Sequence, residues 1–455
     1  YIISKIYSRN LIYSILAENQ CAFRHKKEPL FMKNHSYISM QQDMPDQGQL
    51  QVTVLDSASN RPVENATVRI SYTGVPDNVI EEIRTDSSGK TPMLELAAPP
   101  LEYSMKPVEQ QPYAEYTVRI SAEGFTPKEV AGTEVLPHSI ARQGASLSRQ
   151  QGSGEDYQRI VIGPHTLFGE YPPKNPEAEI KPINETGEIV LNKVVIPEYI
   201  VVHDGPIGDT SAQDYYVRYK DYIKNVASSE IYATWPEDTI RANVLAIMSF
   251  TLNRVYTEWY RNKGYDFTIT SSTAYDHKWI YGRNIFESID RIVDELFENY
   301  LSRPNVRQPI LTQYCDGRQV QCRDRGWMTQ WGSKALGDQG YSAIEILRSF
   351  YGNDMYINVA EAVSGIPASW PGYDLTIGVT GEKVQQIQEQ LNAIAKAYPA
   401  IPSVIVDGIY GPATAASVKK FQNIFGLPAS GVVDYPTWYK IQDIYVAVTR
   451  IAELQ

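Results

Sequence analysis

A chain of 455 residues with 42 Lys and Arg against 53 Asp and Glu carries a formal net charge of −11, which argues against a nucleic-acid-binding surface. Its 43% hydrophobic and 21% charged content belongs to globular domains, about three of them at roughly 100–200 residues each. The three cysteines, Cys21, Cys315 and Cys322, allow at most one intramolecular disulfide, and no run approaches the ~20 apolar residues of a membrane span.

Residues 1–39 mix apolar residues with Lys5, Arg9, Glu18, His25, Lys26, Lys27 and Glu28 and lack the clean apolar run of a secretory signal. They read as a leader or a misassigned start, with Met32 and Met40 as candidate initiators. From Gln49 the pattern alternates. Leu50, Val52 and Val54 share one face, then Ala66, Val68 and Ile70, with turn chemistry between them and again at Thr85–Lys90. Residues 40–140 therefore read as a small β-sandwich of the transthyretin or carboxypeptidase-regulatory type, without a catalytic cluster. Residues 141–159 are polar and rich in Gly, Ser and Gln, which predicts a linker open to proteolytic nicking. A proline-rich, extended lead-in follows over 160–198, and a mainly α domain with some strands over 199–367.

The centre of that domain is the stretch Tyr222–Tyr260. Thr234, Pro236, Glu237 and Asp238 predict a helix start, and apolar positions on two faces up to Trp259 make it a buried helix. Glu230 falls in the turn before it, among apolar neighbours that favour a carboxyl holding its proton near neutral pH. The residues alone leave it either an active-site acid or a capping carboxylate.

This segment resembles the family of stage II sporulation protein D and the amidase enhancers, with its turn followed by a Trp-Pro-Glu helix start. The resemblance continues in R-G-W-M-T-Q-W-G-S-K-A-L-G from Arg325 and in the closing I-L-R-S-F-Y-G up to Gly352. From about Met40 onward the chain resembles the clostridial spore cortex-lytic enzymes. The resemblance implies a secreted or spore-deposited zymogen whose N-terminal sandwich is removed by a subtilisin-like germination protease cutting in 141–159. It implies lytic transglycosylase chemistry on spore-cortex peptidoglycan, needing one acid/base residue, Glu230, and no cofactor. Substrate contacts implied are Arg241, standing where the family often has Lys, Asp276 and Tyr281 in T-S-S-T-A-Y-D-H-K-W-I-Y-G, and Gln330 in M-T-Q-W-G. His277 is a further groove candidate. Met248 stands where an Arg is common, with Arg254 as a possible replacement, and Asp324–Arg325 replace a family histidine.

Two other readings stay open: a muramoyl-alanine amidase, for which His203–Asp204 offers an incomplete metal pair, and a non-catalytic amidase enhancer. Cys315 and Cys322 are open to a disulfide, free thiols or zinc, although six intervening residues exceed the usual zinc spacing. Residues 372–450 carry V-D-G-I-Y-G-P-A-T at Val406–Thr414, flanked by Val384, Ile387, Gln388 and Leu391 and by Val418, Phe421 and Gln422. They strongly resemble the three-helix peptidoglycan-binding module. The fold class expected is thus multidomain α+β.

Overall fold

The alternation after Gln49 becomes strand β1 (Asp46–Asp56), whose Leu50, Val52 and Val54 are fully buried. In the computed structural model, which describes residues 44–150, 157–181, 193–323, 326–364, 371 and 373–449, this strand founds a sandwich. The leader expected over 1–39 and the Asp324–Arg325 substitution lie outside the described residues. Strands β2 (Thr67–Tyr72), β3 (Val79–Arg84), β4 (Leu94–Ala98), a helical turn α1 (Glu102–Met105), β5 (Ala114–Ser121), β6 (Lys128–Val135), β7 (Ile140–Leu147) and β8 (Gln158–Val161) complete it. One sheet runs β3-β2-β5-β6-β8, and the other contains β7-β1-β4. The turn foreseen at Thr85–Lys90 is held by Asp86, whose carboxylate accepts the Ser88 and Lys90 N–H groups at 2.8 and 3.0 Å.

The stretch expected to be a linker from 141 to 159 is different at its start. Ile140–Leu147 pairs in parallel with β1 along its length, Gln49 opposite Ile140 and Asp56 opposite Leu147, and buries Ala141, Gln143, Ala145 and Leu147. Composition misled because Arg142, Gly144 and Ser146 occupy outward positions of this strand, while the inward ones include the polar Gln143 and the small Ala141 and Ala145. The segment 151–156 lies outside the described residues.

In the domain that follows, β9 (Val195–Ile196), β10 (Tyr199–His203) and β11 (Asp214–Arg218) lead into two helices, α2 (Tyr219–Glu230) and α3 (Glu237–Tyr256). The helix α3 is buried on both faces as expected, with acidic Glu237 and Asp238 at its positive end. Its expected cap is absent: Pro236 precedes the first turn, and the Thr234 hydroxyl instead donates to Ser104 Oγ at 2.9 Å. Short strands β12 (Ile269–Thr270) and β13 (Ile285–Phe286) precede α4 (Glu287–Leu296), and β14 (Asn299–Ser302), β15 (Tyr314–Cys315) and β16 (Met328–Thr329) precede α5 (Gln330–Asp338) and α6 (Ala343–Tyr351). Strands β17 (Tyr356–Val359) and β18 (Ala362–Val363) close it against β14 and β9. The sandwich and this domain share a sheet, since β13 pairs antiparallel with β7, Ile285 opposite Arg142.

Helices α7 (Glu382–Ala395), α8 (Pro412–Phe425) and α9 (Tyr435–Thr449) form the C-terminal module. Two glutamines repeat one role there. The Gln388 amide holds the turn at Asp407–Ile409, and the Gln422 amide holds the turn at Ser430–Val432. The module is docked on the rest of the chain. Lys220 of α2 pairs with Asp443 of α9, and Lys440 of α9 reaches Asp294 of α4 at 2.8 Å. Among the described residues no helix is long and apolar enough to cross a membrane.

Candidate active site

Glu230 is the last residue of α2 rather than part of the turn after it, and only 3% of it is exposed. It lines a small pocket of about 50 Å³ together with Thr166, Tyr171, Lys174, Tyr314, Asp316 and Gln330. Its Oε1 accepts the Lys278 backbone N–H at 2.6 Å, and its Oε2 accepts the Tyr314 hydroxyl in a short hydrogen bond. Burial pushes this carboxyl above the usual carboxylate range, against the opposing pull of the Lys174 ammonium, the Lys278 N–H and the Tyr314 hydroxyl. Its place at the negative end of a helix acts in the same direction as burial.

The neighbours come from three separate parts of the sequence. Tyr314 stands on β15, which pairs in parallel with β16, so that Tyr314 lies opposite Met328 and beside the start of α5. Gln330 opens that helix and donates from Nε2 to the Glu230 carbonyl at 3.0 Å. A disulfide joins Cys315 to Cys322 with their Cα atoms 5.3 Å apart, which decides among the three states left open for them. The loop it closes is tight. Gly317 has φ +81°, and a Cβ there would lie 2.6 Å from Thr329 Cβ. Asp316 at its base accepts the Gln319 and Val320 N–H groups at 2.8 and 2.7 Å, so both carboxylate oxygens are engaged in holding the loop.

The third contributor is the proline-rich lead-in. Lys174 is buried, its ammonium donates to the Asp276 carbonyl, and it lies over the Phe250 and Tyr314 rings at 4.8 and 5.2 Å. Burial pushes its pKa down to about 8, against the pull of Glu230 and Asp276. Glu177, three residues on, receives two hydrogen bonds from Arg254, at 2.6 and 2.9 Å. Burial alone would raise Glu177, but Arg254 and Lys181 outweigh it and hold the carboxyl near about 2.

The residues expected in the groove fall into three groups. Gln330 joins Glu230 in the pocket. Asp276 is fully buried, where it accepts from Arg254 Nε at 2.7 Å, the Tyr260 hydroxyl at 2.6 Å, and the Thr270 N–H and hydroxyl at 2.9 and 2.7 Å. It therefore fixes the segment carrying Lys278, and so acts on Glu230 from two residues away. Arg241 and Tyr281 do not line the pocket. Arg241 pairs with Glu237 and Glu295 at the surface, and Tyr281, 44% exposed, stacks on Tyr215 at 4.9 Å between ring centres. Met248 is core, and Arg254 is buried in ion pairs rather than solvated. His277 is buried, with Nδ1 3.1 Å from the Tyr222 hydroxyl and its ring stacked on Tyr314, and burial holds it neutral. His203 meets Asp214 at 2.8 Å, while Asp204 accepts from the Ser271 hydroxyl.

The sandwich approaches this site from one side. Trp235 Nε1 donates to the Ser104 carbonyl at 2.9 Å, the His165 N–H to the Tyr113 hydroxyl at 3.2 Å, and Arg318 to the Val108 carbonyl at 2.9 Å. Arg283 pairs with Glu134 where both are buried.

Comparison with known proteins gives the following. Residues 380–441 match the family described as a peptidoglycan binding domain. The zinc D-Ala-D-Ala carboxypeptidase of Streptomyces albus G is 36% identical over 77 residues, which is 17% of this chain and 28% of that protein. Among solved structures, the SleB N-terminal domain is similar at 26% identity, covering 17% of this chain and 99% of that one with a TM-score of 0.15. Klebsiella pneumoniae 5-hydroxyisourate hydrolase follows at 18% identity, covering 23% of this chain and 99% of its own, also at 0.15. Neither superposition adds to the reading of the fold. The matched family makes peptidoglycan a partner of this chain through a C-terminal peptidoglycan-binding domain, and the chain a cell-wall-associated protein.

Proposed function

We propose that the chain is a spore cortex-lytic enzyme of the type of clostridial SleC, a lytic transglycosylase made as a zymogen. The observation that carries this is Glu230: a buried carboxyl at the end of a helix, in a pocket, whose hold on its proton is strengthened by burial and whose anion is provided with two donors. Such a group can donate to the bridging oxygen of a glycosidic bond as the bond to C1 of N-acetylmuramic acid breaks. The resulting carboxylate then takes the proton of the same sugar's 6-hydroxyl as that oxygen closes on C1, giving a 1,6-anhydro ring without water. One carboxyl serves both steps, in contrast to the paired carboxylates of hydrolases. The other carboxylate lining the pocket, Asp316, has both oxygens committed to backbone N–H groups.

The zymogen reading is supported by the hydrogen bonds that Ser104, Val108 and Tyr113 of the sandwich accept from Trp235, Arg318 and His165, on elements flanking the pocket. A germination protease of the subtilisin type would cut after β7, between Leu147 and Gln158, since Ile140–Leu147 is held inside a sheet. Because β8 pairs with β6, the cut sandwich stays seated until that strand peels away. Mass spectrometry of fragments released from decoated spore cortex tests the chemistry. Anhydromuramic ends from the cleaved wild type, and none from Glu230→Gln, are expected. Reducing ends or free stem peptides would point to a hydrolase or an amidase, and no release at all to an enhancer.

A further inference from the structure

A lysine buried beside the acid has so far been given no part in the reaction. We propose that Lys174 is a positioning residue for Glu230: its ammonium, fixed in the pocket wall by the Asp276 carbonyl and two aromatic faces, meets the carboxylate that forms when Glu230 gives up its proton. This rests on the reading of Glu230 as the acid/base.

The geometry favours a role for the cation. Lys174 is 6% exposed and lines the same pocket as Glu230, Tyr314 and Gln330. Its ammonium is spent on a carbonyl and on the Phe250 and Tyr314 rings rather than on a carboxylate. Removing an ammonium from water is costly without a paired anion, so an ammonium kept here has a reason beyond packing. A fixed cation that gains its partner only as charge develops stabilises the later state more than the resting one. It also acts from a segment outside the domain's helices, which is tied down on either side of the lysine: the Pro172 carbonyl accepts from the Thr273 hydroxyl at 3.0 Å and the Asn175 N–H donates to the Ala274 carbonyl at 2.7 Å.

The charged and titratable groups around it are Glu230, Asp276 and Glu177, which favour its charge, Arg254, which opposes it, and Tyr314, Tyr222, Lys278 and neutral His277. Of these, Glu177 and Asp276 are already paired with Arg254, which leaves Glu230 as the carboxyl whose charge changes.

The test is the pH profile of cortex fragment release by the cleaved enzyme, comparing wild type, Lys174→Gln and Glu230→Gln. Gln keeps a donor for the Asp276 carbonyl and removes the charge. The rate falls as pH rises through the titration of Glu230, and without the cation that alkaline limb moves upward by about one pH unit while the plateau falls about ten-fold. A folded Lys174→Gln enzyme whose limb stays at the wild-type position overturns the proposal, whether or not its rate falls. If that variant does not fold, Lys174→Arg replaces it: a limb at the wild-type position supports the proposal, and one moved upward overturns it. An active Glu230→Gln enzyme would remove the acid/base reading itself. An inactive one beside an unmoved Lys174→Gln limb removes only the role of Lys174.

Discussion

The two ends of helix α2 carry two clusters of buried charge with opposite outcomes. Near its start, Lys220 and Lys224 pair with Asp290 and Asp294 of α4 and with Asp443 of the C-terminal module, whose Lys440 shares Asp294, Lys224 and Lys440 both lying 2.8 Å from it. Burial there pushes the Asp294 carboxyl up, but the three lysines overcome it and hold it well below the usual range. At the other end Glu230 is equally buried, yet it has neutral donors in contact and two ammonium groups, of Lys174 and Lys278, beyond ion-pair contact, and its carboxyl moves up. Burial alone therefore does not make a proton donor. Removal from water does so only where no cation is close enough to claim the anion. The first cluster ties modules together, and the second, on the proposed reading of Glu230, exchanges a proton.

The comparison can be broken at several points. Glu230→Gln is expected to lower glycan release by about 10²–10⁴-fold while leaving the circular dichroism spectrum intact. Asp294→Ala leaves buried ammonium groups without their anion, so urea unfolding should show a loss of about 3–5 kcal/mol and a loosened C-terminal module, with the pH profile of catalysis unmoved. Tyr314→Phe removes a donor that favours the Glu230 anion. The alkaline limb should rise and stability fall by about 0.5–1.5 kcal/mol, whereas a limb that falls would contradict the hydrogen bond's role.

Stability should also report on the acid directly. The folded-state pKa of Glu230 is raised above its ordinary 4.5. Below that value both folded and unfolded chains are protonated. Above it the unfolded chain releases its proton first, so the buried acid costs increasing stability until the folded pKa is passed. Thermal unfolding of Glu230→Gln against wild type should thus show a relative gain that grows from pH 4.5 upward and then levels off. The smallest effect belongs to Arg241→Ala. Its partially exposed pairs with Glu237 and Glu295 should be worth less than about 1 kcal/mol, and the release rate should not change.

What the sequence made legible follows from the range of each signal. The alternation of Leu50, Val52 and Val54 and the two-faced pattern of α3 are local, and the strand and helix they predict are present, as are the helices of the C-terminal module that the V-D-G-I-Y-G-P-A-T motif resembles. The pairing of Ile140–Leu147 with β1 is not local. Nothing in the run I-A-R-Q-G-A-S-L tells that a strand far earlier in the chain, Gln49 opposite Ile140, waits for it. The same holds for the site. Glu230 could be singled out from its helix-flanked, apolar setting, and Gln330 from its motif, but Tyr314 and Lys174 lie 84 and 56 residues away in chain segments with no periodicity. Arg241 shows the opposite error: a family position held the right kind of charge, but two acidic neighbours, Glu237 one turn before it and Glu295 on α4, hold it at the surface.

The most direct measurement of the central claim is isotope-edited infrared difference spectroscopy of wild type minus Glu230→Gln, followed as a pH titration with labelled glutamate carboxyls. A protonated carboxylic C=O band that belongs to Glu230 and persists above the ordinary carboxyl value of 4.5 is expected. A band that is lost at or below that value would mean that Lys174, Tyr314 and Lys278 stabilise the anion more than burial opposes it, and would contradict the reading of Glu230 as the acid.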